Sequence, residues 1–444
     1  MRYLSLCLIS MCMLLWACPA PTPQSMPGSP LPSTTEAAMK QIEWDRDSLY
    51  DKMLGVLLGS AIGDAMGAPT EMWPREKIQL MYGHVQDLDN MVREPSPEGT
   101  WGMNLPAGST TDDTRWKAFM VDFFTGENGP AQARKASLKG ADFGQAILDR
   151  HDRGIAFLKQ IESNSLEPFE EEMRKITWLK EWAVVARPYV ADDLQGFYDS
   201  LSSFYGGEMV CAGMLFAPMI GAAYAGDPAW AYQQTYQMNF FDLGYARDIS
   251  GLTAAMVAGA MAPGAAPDSI LPVVQSVDPQ GYFSSRLVGR TAYKLYEETL
   301  WMMDAVNKVK PEEFFEQEPA VLLALPLETA EDSLLYARLS TAYQLLDEKL
   351  MRYPFHPAEI YLVNAMALLF AEYDFEQALA FVINYGRDND TTAAVTGSIL
   401  GGLYGAKALP KKLTQPCLKA NRELGFDLEK MAQRMVDAIL GPPA

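Results

Sequence analysis

The segment Gly55-Val56-Leu57-Leu58-Gly59-Ser60-Ala61-Ile62-Gly63-Asp64-Ala65-Met66-Gly67 sets a glycine at every fourth position, and Gly397-Ser398-Ile399-Leu400-Gly401-Gly402-Leu403-Tyr404-Gly405 does the same near the other end of the chain. Spacing of this kind stacks the glycines along one face of an α-helix. Each glycine in a helix interior costs about 1 kcal/mol relative to alanine, so a run of them needs compensation from packing. A ridge without side chains supplies it by letting a second backbone approach closely. The two segments are therefore predicted to be helices that cross each other, or a common neighbour such as the Gly251 to Gly259 segment, at the centre of the fold.

Outward from these ridges, helical spacing dominates. Ile360, Val363, Ala367, Leu368 and Ala371 form one stripe and Leu428, Met431, Met435 and Ile439 another, whereas strand-like alternation is scarce. The class is all-α. With 444 residues, 49% hydrophobic and 21% charged, the chain has material for a large core. Residues 44–444 read as one domain, or as two subdomains sharing a cleft, because the length exceeds the roughly 250–300 residues of an ordinary single core.

The first 17 residues read as an export signal: Arg2, an apolar stretch from Leu4 to Trp16, then small Ala17. That stretch falls short of the roughly 20 residues a permanent span needs. Leu15-Trp16-Ala17-Cys18 resembles a bacterial lipobox, which makes Cys18 the lipidated first residue of the mature protein; an ordinary cleaved secretory signal is the alternative. Residues 18–43 carry the anchor cysteine and a linker with Pro19, Pro21, Pro23, Pro27, Pro30 and Pro32, a composition suited to an extended tether. The expected location is extracytoplasmic, as a membrane-anchored lipoprotein of the cell envelope, or else secreted or periplasmic and soluble. Of the remaining cysteines, Cys7 and Cys12 lie in the signal. Cys211 and Cys417 are the mature thiols, open to a disulfide by sequence, with a buried inert thiol favoured for Cys211 in its apolar setting.

Composition excludes several functions. A formal net charge of -20, with no basic stripe interleaved with aromatics, excludes nucleic acid as a partner. Three histidines, His84, His151 and His356, at unrelated spacings leave little material for an imidazole-based zinc site. No Ser-centred nucleophile elbow, phosphate-cradling loop with its Lys, or His-Glu metalloprotease pattern is present. The aromatic-rich middle, with Trp178, Trp182, Tyr189, Phe197, Tyr198, Phe204 and Tyr205, reads first as core and second as a stacking surface in a cleft.

Two acidic clusters stand far apart, Thr110-Thr111-Asp112-Asp113-Thr114 and Asp388-Asn389-Asp390-Thr391-Thr392, each ahead of a helical apolar run. Thr and Asp at a helix start are explained equally well as caps. Capping requires one such residue, however, and paired carboxylates with hydroxyls suit a hard, oxygen-bound cation. Residue chemistry alone leaves both explanations standing.

Three motifs in order change the balance: the glycine-spaced helix from Gly55, ending in Gly67-Ala68-Pro69-Thr70-Glu71; Ser109-Thr110-Thr111-Asp112-Asp113-Thr114; and Asn384-Tyr385-Gly386-Arg387-Asp388-Asn389-Asp390-Thr391-Thr392 with its following glycine helix. Together they resemble the ADP-ribosylglycohydrolase family over roughly residues 48 to 410. The resemblance implies an orthogonal multi-helix bundle with a central dinuclear metal cleft. It implies two Mg²⁺ ions, or Mn²⁺, held by Thr111, Asp112, Asp113, Asp388, Asp390 and Thr391. It also implies Glu71 or Asp113 as the general acid or base, a choice left open. The implied reaction is hydrolysis of an ADP-ribosyl or related ribosyl N- or O-glycosidic bond, with an ADP-ribosylated protein or a small ribosyl glycoside as partner and the membrane met only through the lipid anchor.

The middle departs from the family. Members carry a Gly-Asn-Gly segment and a following Met-Arg ahead of a proline; here Met209-Val210-Cys211-Ala212-Gly213-Met214-Leu215-Phe216-Ala217-Pro218 has neither the Asn nor the Arg, and Asn239-Phe240-Phe241-Asp242-Leu243-Gly244 lacks the family's Thr-His pair. Arg387 and Asn389 stand where Gly and Thr are usual. A binding lipoprotein that keeps scaffold and metals without turnover is the alternative function, and a structural envelope protein with incidental acidic caps a third.

Overall fold

The computed structural model of the chain describes residues 42–90, 104–126, 131, 133, 137–160, 173, 176–316 and 323–442. The export signal, Cys18 and nearly all of the linker lie outside these. The described residues fall in one contact unit. The helices that build its centre are α1 (Arg46–Gly67), α2 (Asp112–Thr125), α3 (Lys180–Val190), α4 (Ala212–Ala223), α5 (Ala246–Met261), α6 (Pro357–Phe370), α7 (Phe375–Tyr385) and α8 (Asn389–Tyr404). Among the described residues the only sheet is a short antiparallel pair, β1 (Trp73–Pro74) with β2 (Gly386–Arg387).

The glycine ridges face each other. A side chain on Gly55 would meet the Gly401 carbonyl at 2.1 Å, one on Gly59 the Gly397 carbonyl at 2.1 Å, and one on Gly63 the Ala393 carbonyl at 2.1 Å. Partner numbers fall on α8 as they rise on α1, so the two helices run antiparallel in backbone contact. Every residue from Met53 to Gly67 and from Asn389 to Leu403 is buried. A helix apolar all round belongs at the middle of a core, and these two are that middle. Gly251 faces the Tyr232 ring instead, so the common-neighbour alternative does not hold for it. Helices α4, α5, α6 and α7 pack around α8, while Leu428–Leu440 packs on α1 and α2 with its Met431, Ala432, Met435 and Val436 face buried.

The aromatic middle is mainly core. Trp116 of α2 meets Trp178 at 4.9 Å, Trp182 at 4.4 Å and Phe216 at 5.7 Å between ring centres, and Tyr189 stacks on Phe240 at 4.0 Å. Tyr198 is exposed. Cys211 and Cys417 are both free and buried. Among the described residues no single helix is long and apolar enough to cross a membrane; one bent pair passes by length and composition, and its second half, α4, is wholly buried.

Candidate active site

Antiparallel packing of the ridges carries the C-terminal end of α1 to the N-terminal end of α8. Gly67 completes the register: a side chain there would meet the Asp390 Cα at 2.4 Å. The glycine pattern thus sets Glu71, just beyond α1, beside Asp388 and Asp390. The β1–β2 pair locks the two loops, with Trp73 opposite Arg387 and the Met72 N–H donating to the Arg387 carbonyl at 2.7 Å. Met72 (φ 62°) and Arg387 (φ 68°) both adopt the left-handed conformation. Such non-glycine residues cost roughly 1–3 kcal/mol of strain each and persist only where the surroundings impose them. Arg387 is held by Glu359 at 2.7 and 2.8 Å and by the Met351 carbonyl at 2.8 Å. Its positive φ explains why glycine is usual at that place.

The second cluster is joined by Asp64, buried in α1. One carboxylate oxygen accepts from the Thr111 N–H (2.9 Å) and hydroxyl (3.0 Å), the other from the Thr114 N–H (3.0 Å) and hydroxyl (2.7 Å). The start of α2 is therefore capped from another helix, and Thr111 makes no side-chain cap of its own. Asp388 likewise does not cap α8 with its side chain. The simple explanation of the acidic residues as local caps accounts for neither.

The acidic clusters, far apart in the chain, touch directly. The Thr391 hydroxyl donates to Asp113 at 2.9 Å, a separation of 278 residues, and the Thr111 hydroxyl to Asp390 at 3.3 Å. The Thr391 N–H donates to the other Asp390 oxygen at 2.9 Å. Asp113, fully buried, also accepts from the Lys117 ammonium at 2.7 Å. Helices α2 and α8 both point their positive ends at this spot, which favours anions there.

Even so, negative charge is in excess. Burial and the charge of Asp113 push the Asp64 carboxyl up to about 7, and the same two causes push Asp112 up to about 6. Burial and their acidic neighbours raise Asp388 and Asp390 well above the usual carboxylate range. Five aspartates and Glu71 are set against the ammonium of Lys117 and the nearby Arg115. Carboxylates and hydroxyls in such excess fit a hard divalent cation in donor chemistry and in charge. No group of three or more Asp, Glu, His or Cys side chains among the described residues is gathered tightly enough to hold an ion as they stand.

Above this floor opens a cleft lined by Glu71, Asp112, Asp388 and Thr391 on one side and by Met72, Trp182, Tyr205, Val210, Cys211, Ala212, Leu215 and Phe355 on the other. Trp182 therefore serves both core and cleft. The altered Met209–Pro218 stretch forms this second side. Its Cys211 N–H donates to the Phe355 carbonyl at 3.0 Å, and the Gly213 N–H, in the first turn of α4, donates to Asp242 at 2.9 Å. Asp242 also accepts from Asn239 and Ser250, each at 2.5 Å.

A family model for ADP-ribosylglycohydrolase matches residues 45–443. The chain belongs to the ADP-ribosylglycohydrolase family. A solved structure described as an ADP-ribosylglycohydrolase-related protein complex aligns over 89% of this chain and 100% of its own length, with TM-score 0.51 and 15% identity, which shows the shared fold. The chain is also similar to an Escherichia coli K12 protein, YegU (32% identity over 111 residues, 25% of this chain and 30% of that one). It is similar as well to the ADP-ribosyl-[dinitrogen reductase] glycohydrolase of Rhodospirillum rubrum (32% over 95 residues, 21% of this chain and 26% of that one). The matched stretches span under a third of each curated relative. As in the ADP-ribosylglycohydrolase resemblance, Thr111, Asp112, Asp113, Asp388, Asp390, Thr391 and Glu71 converge. Asp64 and Lys117 were not foreseen as part of this site. A lone carboxylate in the otherwise uncharged run from Met53 to Gly67, and a lysine four residues after Asp113, were their signals.

Proposed function

We propose that the protein hydrolyses an ADP-ribosyl or related ribosyl N- or O-glycosidic bond in a divalent-cation-dependent reaction. The observation that carries this is the junction of Thr111–Asp113 with Asp388–Thr391 on the floor of a cleft that Glu71 also lines. Magnesium or manganese bound by Thr111, Asp112, Asp113, Asp388, Asp390 and Thr391 would orient ribose hydroxyls and offset charge as the anomeric bond breaks.

Of the two candidates for proton transfer, Glu71 is favoured. It lines the cleft, whereas Asp113 is buried with one oxygen on Lys117 and the other on Thr391. Glu71 takes the proton of the attacking water or gives one to the leaving group; Lys117 holds Asp113 in place. Trp182, Tyr205 and Phe355 give one side of the cleft an aromatic lining. The work is done outside the cytoplasm, from a tether at Cys18.

Turnover of ADP-ribosyl-arginine, ADP-ribosyl-serine and O-acetyl-ADP-ribose with Mg²⁺ or Mn²⁺ tests the proposal. Release that depends on the cation and is lost in Asp388→Ala and Glu71→Gln is the expected result. Tight ribosyl-ligand binding with no turnover of any glycoside favours the binding-lipoprotein alternative, whose support is the altered Met209–Pro218 wall.

A further inference from the structure

Arg387 is strained where it stands. Its φ of 68° lies in the left-handed region, which glycine enters freely and an arginine does not. A side chain kept in such a conformation beside a functional floor points to a contact that the fold needs. The guanidinium holds Glu359, near the start of α6, as a fork: Nε donates to one carboxylate oxygen at 2.7 Å and Nη2 to the other at 2.8 Å. Paired bonds of this kind fix direction as well as distance, which a lysine ammonium does not. Nη2 also donates to the Met351 carbonyl at 2.8 Å, and Glu359, 5% exposed, accepts the Met351 N–H at 2.8 Å. Both backbone groups of Met351 are held by this one ion pair.

Met351 lies at one end of a strap, residues 350–356, that crosses from floor to wall. Toward its far end the Phe355 carbonyl accepts the Cys211 N–H at 3.0 Å, just ahead of α4. The Phe355 ring lines the cleft, 6.0 Å from Tyr205 between ring centres and stacked on Tyr353 at 5.5 Å.

The backbone of Arg387 carries the attachments on the floor side. Its carbonyl accepts the Met72 N–H at 2.7 Å, Trp73 pairs with it across β1 and β2, and Asp388 follows it directly. Glu71, Met72 and Asp388 all line the cleft. A single residue joins the floor, through its backbone, to the strap that bears the aromatic wall, through its side chain.

Resting on the glycohydrolase function proposed above, we propose that Arg387 and Glu359 are positioning residues: their clasp sets the distance between the acidic floor and the Phe355 wall, and so governs how tightly the cleft holds an ADP-ribosyl ligand beyond the ribose on the floor. Cation binding needs the floor alone. Loss of the clasp releases the wall, and ligand affinity with it, while cation affinity stays; an ion pair with a merely structural role would move both or neither.

The test follows individual amides by hydrogen exchange and titrates the whole protein calorimetrically, with Mg²⁺ and with ADP-ribose in Mg²⁺. In Glu359→Ala and in Arg387→Gly the Cys211 amide, bonded to the far part of the strap, should exchange about tenfold faster than in the wild type or more, while the Gly213 amide, held by Asp242 at 2.9 Å, should not change. ADP-ribose should bind both variants about tenfold more weakly, and Mg²⁺ within about twofold of the wild type. Arg387→Lys should recover only part of the loss, because one ammonium cannot reproduce the fork. Arg387→Gly loses the backbone strain along with the clasp, which guards against a variant that fails to fold. Unchanged exchange at Cys211, or ADP-ribose bound equally by wild type and variants, overturns the inference and leaves the glycohydrolase proposal intact. Equal loss of Mg²⁺ and ADP-ribose affinity also overturns it, in favour of a structural pair. If the wild type binds no ADP-ribose, the inference falls too, and cation-dependent cleavage of ADP-ribosyl-arginine decides the broader proposal separately.

Discussion

Asp64 is the residue on which the site turns, because its two oxygens serve four donors of the α2 start inside the core. Removing a buried acceptor strands its donors at roughly 1–3 kcal/mol each. Asp64→Ala should therefore lower stability in denaturant titrations by at least about 3 kcal/mol, more than Asp64→Asn. Lys117 and Asp113 form a pair with 1% side-chain exposure on each side. Breaking such a pair costs about 3–5 kcal/mol, because the remaining charge stays buried. Lys117→Met should melt early in a chelator, and Mg²⁺ should recover much of the loss; equal melting with and without Mg²⁺ counts against cation binding at the cluster. Thr111, Asp112, Asp113, Asp388, Asp390 and Thr391 were legible as candidate ligands from the motifs. The role of Asp64 was not, since an aspartate inside a helix does not show whose N–H groups it will meet.

At the level of elements, the crossing of α1 and α8 was legible because a glycine ridge has no other economical use. Gly59→Leu and Gly401→Leu should both abolish folding, as a Cβ alone already lies 2.1 Å from the Gly397 carbonyl or 1.9 Å from the Gly55 carbonyl. Gly259, in α5, is a control: its Cβ would meet only Pro228, at 3.5 Å. Gly259→Ala should stabilise by up to about 1 kcal/mol, read as a raised melting temperature. The β1–β2 pair was not expected at all. Two residues per strand leave no alternation to read, and the bend at Met72 and Arg387 is imposed by the chains on either side.

For the whole molecule, charge and pH are coupled through the acidic floor. The folded pKa of Asp64 is about 7 and that of Asp112 about 6, against 3.8 for an ordinary Asp. Between those values the folded protein holds protons that the unfolded chain has released, so stability without cations is greatest near the unfolded pKa and declines as pH rises through about 4 to 7. Melting temperature in a chelator should fall over that range. Mg²⁺ should restore it most at pH 8 and least at pH 5; saturation a hundredfold above Kd adds about 2.7 kcal/mol per site. Cys18 lies outside the described residues, but its proposed lipid has its own test: Cys18→Ser should move the protein from the membrane to the soluble fraction.

Read alone, the chain determined the helical class, the two glycine helices and the three motifs of the family, because each is a local pattern whose spacing carries its own geometric meaning. The antiparallel register of α1 on α8, the capping of α2 by Asp64 and the hydrogen bond of Asp242 to the α4 start were decided only in three dimensions. Each joins groups distant in the chain or on different helices, and their hydrogen bonds exist only once the packed backbone has excluded water from between them.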